Sequence, residues 1–355
     1  MYANGTSALS AAISAAISDS REAGIPEVIA PAYACPDIAT AAISAGARLR
    51  LVDFDRDNPQ MPAADVLAAV TRNTVAVVCV NFLGSGDNAE EIRAELRSKS
   101  PAVIILDACQ AHPDAILARR SLQTPVIFSF GRGKPVNALI GGLLLQPQAT
   151  SDTHVGFAAA ARQPRPPLSW RIKQYANNLI LILGLYDWLR RSQLFGIGET
   201  HVRLNQIISV APDWAEPVIR FNWLASRALP KPAPSIYSAL FAPESAYLRG
   251  YHSMARQDTN ESLLRLPVLC RSHRLREHIM NDRLCRQLGI STMYPQLLAD
   301  YPQLQDHVIA NSGFPNADNY AERLITLPLH SRISKETARI ICDRLHLIAS
   351  RMPES

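Results

Sequence analysis

A glycine-rich loop that ends in a lysine follows one of the apolar runs of this sequence. Val126–Phe130 leads into Gly131-Arg132-Gly133-Lys134. A lysine that is held in a desolvated loop loses proton affinity and attacks carbonyl carbons as a free amine. The pattern therefore predicts Schiff-base chemistry at Lys134.

A carboxylate ends another apolar run. Val103–Asp107 places Asp107 at the mouth of a buried segment, with Gln110 three residues further on. Burying a carboxylate is costly unless a cation faces it, and a protonated pyridine nitrogen would be such a cation. A helix cap or a structural ion pair is the alternative.

The first residues of the chain resemble a seat for a phosphate. Asn4-Gly5-Thr6-Ser7 precedes a run with helical spacing. The first turn of a helix offers free N–H groups, and the hydroxyls of Thr6 and Ser7 add further hydrogen-bonding groups. A plain N-cap explains the same residues equally well.

These residues need a scaffold that brings strand ends together. Short apolar runs alternate with helical patterns through the first 150 residues, which indicates βαβ units and a mostly parallel sheet covered on both faces. Ligands of such sheets bind at the carboxyl ends of the strands. The predicted strands are Glu27–Pro31, Leu49–Asp53, Val75–Val80, Val103–Asp107, Val126–Phe130 and Gly142–Leu145, and the predicted helices are Ile38–Ala45, Ala63–Thr71 and Ala89–Lys99.

The pattern changes after residue 150, and we expect three regions: a large α/β domain over 1–150, a helical, proline-rich connector and interface region over 151–255, and a small α/β domain over 256–355. The later elements are predicted as helices around Arg171–Arg191, an irregular stretch over Ala211–Pro234, a helix near Ser235–Leu248, a strand over 263–270, a helix over Arg274–Leu288, a strand over 289–295, a loop, and a final helix over Lys335–Ser350.

Composition excludes several classes of protein. The chain has 355 residues, of which 48% are hydrophobic and 19% charged, as in folded globular proteins. A scattered net charge of +5 gives no argument for a nucleic-acid partner. The six cysteines form no C-x-x-C pair, so we expect no metal site and a reducing cytoplasm. The most apolar stretch, Asn178–Leu189, is too short to span a bilayer and predicts a buried helix, or else a membrane-surface or partner contact.

One motif imitates a dinucleotide-binding fingerprint. Gly84-Ser-Gly86-Asp-Asn-Ala89 follows an apolar run, and Asp107 ends the next one. That fingerprint usually opens its domain, whereas this motif lies in the third strand–helix unit. We therefore favour an ordinary turn with Asp87 or Asn88 as the helix cap over a nicotinamide-dependent dehydrogenase.

Taken together, the motifs resemble those of the DegT/DnrJ/StrS-type sugar aminotransferases, pyridoxal-phosphate enzymes of fold type I. NGTSAL is similar to the family's phosphate-binding helix start, VIILDACQAHPDA to its E-D-A-A-Q-A-H-G strand end, and SFGRGKPVNALIGG to its lysine loop. The blocks EVIAPAYACPDIATAAISAGARLRLVDFD and VNFLGSGDNAEEI, and the closing LPLH, follow in the family's order. The resemblance extends from residue 4 to about 350 and is weakest over 150–260.

The resemblance implies roles for individual residues. Lys134 would carry pyridoxal phosphate and later move a proton, Asp107 would hold its pyridine nitrogen protonated, and Gln110 would bind its phenolic oxygen. The remaining implied cofactor contacts are Gly5, Thr6, Ser7 and Ser129. The implied reaction moves an amino group from an amino acid, by family habit glutamate, to a nucleotide-linked keto sugar in polysaccharide or secondary-metabolite synthesis, in a homodimer.

Departures from the family pattern concern mainly the substrate side. Cys35 stands where the family has an aromatic ring on the cofactor, and Tyr33, two residues away, would face the same side of a strand. Leu106, Asn81, Gly131 and Ile140 also replace family residues, and only three residues precede Asn4, so we expect a truncated or misassigned start. A cofactor-binding homologue that serves as a regulator or scaffold is the alternative, and a dehydration or elimination reaction is disfavoured because Lys134 is present.

Overall fold

The structure is a computed structural model that describes most of the chain. The described residues are 1–20, 24–56, 58–119, 123–147, 165–182, 202, 204, 207–228, 233–241, 248–250, 263–310 and 313–352.

A seven-stranded sheet forms the centre of the larger unit. Its strands are β1 (Glu27–Pro31), β2 (Arg48–Val52), β3 (Thr74–Val80), β4 (Val103–Asp107), β5 (Val126–Ser129), β6 (Gly142–Leu145) and β9 (Val308–Ile309). Their order is β6-β5-β4-β3-β1-β2-β9, and every pair is parallel except β5 with β6. The predicted mostly parallel α/β fold is confirmed, and the carboxyl ends of β1, β3, β4 and β5 lie at one edge.

Both faces of this sheet are buried, as the apolar strand sequences require. On β4, Ile105 packs into one core and Ile104 and Leu106 into the other, because successive side chains of a strand point to opposite faces. The first core contains α1 (Gly5–Asp19), α2 (Pro36–Ser44) and the later helix α10 (Pro315–Arg323), and the second contains α3 (Ala63–Ala69), α4 (Ala89–Leu96), α5 (Pro113–Leu117) and α7 (Ala215–Arg227). Helix α6 spans Leu168–Ile182.

The start of the chain lies against β6. Tyr2 and Gly142 exchange two backbone hydrogen bonds of 2.8 Å. A Cβ atom on Gly142 would come within 2.1 Å of the carbonyl oxygen of Asn4, so only glycine allows this approach. The contact fixes the place where α1 begins.

A three-stranded antiparallel sheet forms the smaller unit. Its strands are β7 (Leu248–Gly250), β8 (Arg265–Cys270) and β10 (Leu324–Pro328), in the order β10-β8-β7. Its helices are α8 (His273–Asn281), α9 (Arg283–Gln287) and α11 (Lys335–Ser350), whereas α10 (Pro315–Arg323) buries Ala317 and Tyr320 in the first core of the larger unit. Asp53 of the larger unit accepts the N–H groups of Asn316 and Ala317, which caps α10.

Several element predictions in the second half are wrong. The predicted irregular stretch contains α7, because prolines are compatible with the entry and first turn of a helix. Pro234–Phe241 is a 3₁₀-helix, and Leu248 starts β7 instead of ending a helix. The helix predicted over Arg274–Leu288 is broken at Asp282, whose side chain caps α9 by accepting the N–H of Cys285. The predicted strand over 289–295 is a loop with one bridge, Ser291 to Thr326, and the predicted loop after it contains β9, α10 and β10.

The apolar stretch Asn178–Leu189 lies only partly in the described residues. Residues 178–182 end α6, as the helical prediction requires, and 183–189 lie outside the described residues. None of the helices in the described part of the chain combines the length and apolarity that crossing a bilayer requires.

Candidate active site

The lysine loop and the start of α1 meet at the end of β5. A Cβ atom on Gly5 would lie 2.9 Å from Ser129 Cβ and 3.1 Å from Cys109 Sγ. Gly5 therefore allows the first turn of α1 to contact the end of β5. Thr6 and Ser7 are buried in the same turn, and Asn4 Oδ1 accepts the N–H of Ser7 at 2.7 Å. The plain N-cap is thus present, beside the hydroxyl of Ser129.

Asp107 and Gln110 lie next to this point, at the end of β4. Asp107 is 8% exposed, and its Oδ1 accepts the N–H of Cys109 at 2.9 Å. Gln110 is 7% exposed and uses both ends of its amide. Its Oε1 accepts the N–H of Leu83 at 2.6 Å, and its Nε2 donates to Tyr294 Oη at 2.7 Å.

Lys134 is half-buried, and its ammonium group faces two thiols and two carboxylates. Burial acts to lower the pKa of Lys134, but Cys109, Cys35, Asp107 and Asp37 act in the opposite direction, and the net pKa is raised. The expectation of a lysine with reduced proton affinity is therefore wrong for the protein alone. The physical reason is the acidic surroundings, which favour the ammonium form more than burial disfavours it.

The two thiols beside Lys134 are the half-buried cysteines of this chain, since the other four are buried. Burial raises the pKa of Cys35 to about 12, with the Asp37 carboxylate acting in the same direction. Burial also raises the pKa of Cys109, as does Asp107. Both thiols are therefore neutral near pH 7, so at that pH the negative charge that faces the Lys134 ammonium comes from Asp107 and Asp37.

Tyr33 does not share a strand face with Cys35, because β1 ends at Pro31. Its side chain is fully buried among Phe54, Phe82, Tyr294 and Tyr320. The Tyr33 hydroxyl accepts the N–H of Tyr294 at 3.0 Å and donates to the carbonyl of Tyr294 at 3.1 Å. The argument from strand alternation is thus wrong, and Tyr33 instead anchors Tyr294.

Tyr294 and Cys109 are site residues that the sequence analysis did not single out. Tyr294 lies in the segment that we predicted as a strand, and Pro295 directly after it was the available signal for a loop. Cys109 follows two residues after the end of the Val103–Asp107 run, and no spacing between the cysteines singled it out. The hydroxyl of Tyr301, also buried, has no hydrogen-bond partner among the described residues and interacts electrostatically with Cys35.

The dinucleotide-like motif has a structural role. Asp87 Oδ1 accepts the N–H of Ala89, the first residue of α4, from the position before the N-cap residue Asn88, whose own side chain makes no capping bond. Asp87 Oδ2 pairs with Arg119 at 2.6 Å and accepts from Asn81 Nδ2 at 3.2 Å. Asn81 and Asp87 are therefore held by each other and by Arg119. No set of three or more His, Cys, Asp or Glu side chains in the described ranges is arranged to hold a metal ion.

The structure thus brings Lys134, Asp107, Gln110, Ser129, Cys35 and the Gly5–Ser7 turn to one edge of the sheet. A sequence profile of the DegT/DnrJ/EryC1/StrS aminotransferase family matches residues 1–155 and 233–346. The chain belongs to this family. It is therefore an enzyme of the transferase class, an aminotransferase, and the expected resemblance is confirmed.

Solved structures of sugar aminotransferases share the fold. DesV of S. venezuelae, solved in complex with a ketimine intermediate, is 19% identical over 99% of this chain and 85% of its own, with a TM-score of 0.68. Helicobacter pylori PseC, an aminotransferase of pseudoaminic acid biosynthesis, is 15% identical over 99% and 86%, with a TM-score of 0.68. The PLP form of the putative sugar aminotransferase Spr1654 from Streptococcus pneumoniae is 16% identical over 99% of this chain and 86% of its own, with a TM-score of 0.70. At these identities the likeness establishes fold type I.

The residues present fit pyridoxal phosphate. Lys134 supplies an amine, Asp107 a buried carboxylate, and the Gly5–Ser7 turn with Ser129 a group of hydroxyl and N–H donors. The close approach at Gly5, which a Cβ would prevent, places the hydroxyl of Ser129 beside the helix start. This set matches an aldehyde, a pyridine nitrogen and a phosphate, which are the three groups that pyridoxal phosphate presents.

Proposed function

We propose that this chain binds pyridoxal phosphate and transfers an amino group from an amino acid, glutamate, to a keto sugar carried on a nucleotide. The observation that supports it most is the convergence of Lys134, Asp107 and the start of α1 at one sheet edge. By analogy with the family, the product would enter polysaccharide or secondary-metabolite biosynthesis. Six free cysteines support a reducing compartment such as the cytoplasm.

Each residue has a defined task in this proposal. Pyridoxal phosphate, when bound, supplies an electron sink for the bonds of the amino-bearing carbon. Asp107 keeps the pyridine nitrogen protonated, and its position is fixed because its Oδ1 accepts the N–H of Cys109. Lys134 would hold the cofactor through Nζ, and its amine would move a proton at the donor's α-carbon.

The phosphate would bind to the hydroxyls of Thr6, Ser7 and Ser129 together with N–H groups at the start of α1. The helix dipole favours negative charge at this end. The Ser7 N–H already serves Asn4, so the hydroxyls carry more of the recognition than the helix start alone.

A homodimer is part of the proposal. Four apolar side chains on α6 are more than half exposed, at spacings of four, three and four residues: Leu168, Ile172, Tyr175 and Leu179. Such a stripe lies on one face of a helix and is typical of a helix that packs against another surface.

The alternative is a cofactor-binding homologue without transaminase activity. It is favoured by Asn81, which replaces a family residue on the substrate side and is buried and bonded to Asp87. The test is to add glutamate to the purified protein loaded with pyridoxal phosphate. If the protein is an aminotransferase, the visible absorbance band converts to that of the amine form and 2-oxoglutarate is released. If it is the inactive homologue, the band does not change.

The variant Asp107→Asn should bind the cofactor but convert it at least a hundredfold more slowly, because several kcal/mol of charge stabilisation are lost.

A further inference from the structure

The amide of Gln110 has only one orientation that satisfies its neighbours. Its oxygen accepts the N–H of Leu83 at 2.6 Å, so this end cannot be the NH₂ group. The opposite end therefore donates, and one of its two hydrogens goes to Tyr294 Oη at 2.7 Å. The second hydrogen of the same nitrogen is the one available to a bound ligand.

Tyr294 is held as firmly as Gln110. The Tyr33 hydroxyl bonds to both backbone groups of Tyr294, and the two rings pack edge to face with centroids 5.5 Å apart. Phe82 packs against the Tyr294 ring with centroids 6.3 Å apart. Residues from the β1–α2 connection and from the loop after β3 thus fix a side chain that is more than two hundred positions away in sequence.

The Tyr294 hydroxyl has a proton to give. Because it accepts from Gln110, its own O–H must point to another acceptor. Burial raises its pKa, so the hydroxyl stays protonated, and the Cys35 thiol is a neighbouring acceptor. Sulfur is a weak acceptor, so a ligand oxygen at this point would replace it.

We propose that Tyr294 is a second hydrogen-bond donor, beside Gln110, to the phenolic oxygen of pyridoxal phosphate. The inference rests on the proposed function, because it assumes that the cofactor binds between Asp107 and Lys134. The proposed cofactor contact comes from the loop at residues 289–297, which is far from the lysine loop in sequence. Tyr301, whose buried hydroxyl is not joined to Gln110, has no such role.

Two donors on one oxygen have a measurable consequence. They draw electron density from the phenolic oxygen and so make the Nζ of Lys134, once joined to the cofactor, less basic. Removing one donor raises the pH midpoint of the visible absorbance change by about one unit. It also weakens cofactor binding by about tenfold.

The experiment compares Tyr294→Phe with the wild-type protein, both loaded with pyridoxal phosphate, by absorbance titration and by equilibrium dialysis of the cofactor. We expect the midpoint to rise and the affinity to fall in Tyr294→Phe, and neither to change in Tyr301→Phe. The variant Tyr237→Phe removes a buried hydroxyl that donates to the carbonyl oxygen of Pro328 in the core of the smaller unit. It controls for a general loss of stability. If Tyr294→Phe does not fold, Tyr33→Phe is used instead, because it removes the hydrogen bonds to the backbone of Tyr294. This variant should shift the pH midpoint in the same direction by a smaller amount.

The outcomes separate the two proposals. If the wild-type protein takes up no cofactor, the proposed function fails, and this inference fails with it. If the wild type loads normally and Tyr294→Phe titrates like wild type, or if Tyr301→Phe gives the shift instead, only the role of Tyr294 is overturned.

Discussion

Lys134 lies among groups that keep its amine protonated when no cofactor is present. Asp107 and Asp37 provide the negative charge, and Cys35 and Cys109 line the same space. A cofactor ring between the amine and the Asp107 carboxylate would lie against both thiols. This arrangement makes the thiols reporters of the site.

Pyridoxal phosphate should protect Cys35 and Cys109 from alkylation. At a cofactor concentration a hundred times its dissociation constant, we expect labelling of both to slow by about a hundredfold. Because burial raises the pKa of Cys35 to about 12 and the thiolate is the nucleophile, the rate without cofactor should be low near pH 7 and rise about tenfold per pH unit. The measurement is iodoacetamide labelling followed by peptide mass analysis.

The buried cysteines provide the control within the same molecule. Cys79, Cys270, Cys285 and Cys342 should react only after unfolding, with or without cofactor. Equal labelling of Cys35 in the free and the cofactor-loaded protein would contradict the placement of the ring.

At the scale of elements, the ends of β4 and β5 meet because parallel strands end at one edge of a sheet, and the start of α1 joins them there. The lysine loop follows β5, Asp107 ends β4, and α1 starts against β6 through a contact that only glycine allows. The geometry of the site therefore depends on the N-terminal turn of α1 remaining in place.

Gly142→Ala should displace that turn. Its Cβ would meet the Asn4 carbonyl oxygen, a backbone atom that cannot rotate away, so we expect a loss of about 1–3 kcal/mol in the free energy of unfolding and weaker cofactor binding. Gly131→Ala is the matched control, since its Cβ would lie an ordinary 3.7 Å from Ser129 Oγ and should cost less than about 0.5 kcal/mol. Denaturant unfolding of both variants gives the comparison, and equal stabilities would contradict the account.

The sequence predicted the local part of this site and missed the part made by distant residues. Apolar runs located β1, β4 and β6 to the residue, because buried strands need continuous apolar side chains. The Tyr294–Gln110 contact joins positions 184 apart, and no local pattern encodes it. The helix α7 was missed because the prolines near its start were taken as breakers, although the first turn tolerates them.

At the scale of the whole molecule, the last third of the chain is tied to the first. Strand β9 pairs with β2, Asp53 caps α10, and Tyr294 reaches Gln110. The division at residues 150 and 255 stays a prediction, and β7 at Leu248–Gly250 already belongs to the small sheet.

The exposed stripe of α6 predicts the assembly. Light scattering should give twice the 39.0 kDa chain mass for the wild type, and Ile172→Glu should shift it toward the monomer, because a charge in an apolar interface is desolvated without a partner. Ser169→Glu, an exposed polar position of the same helix, should leave the dimer intact. A dimer that persists in Ile172→Glu would exclude this face from the interface.

The most direct test of the central claim is the identity of the residue that carries the cofactor. The protein is incubated with pyridoxal phosphate, reduced with borohydride, digested and mapped by mass spectrometry. We predict a visible absorbance band and one pyridoxyl adduct, on the peptide that contains Lys134, with neither in Lys134→Ala. No band, or an adduct on another lysine that persists in Lys134→Ala, would contradict the account.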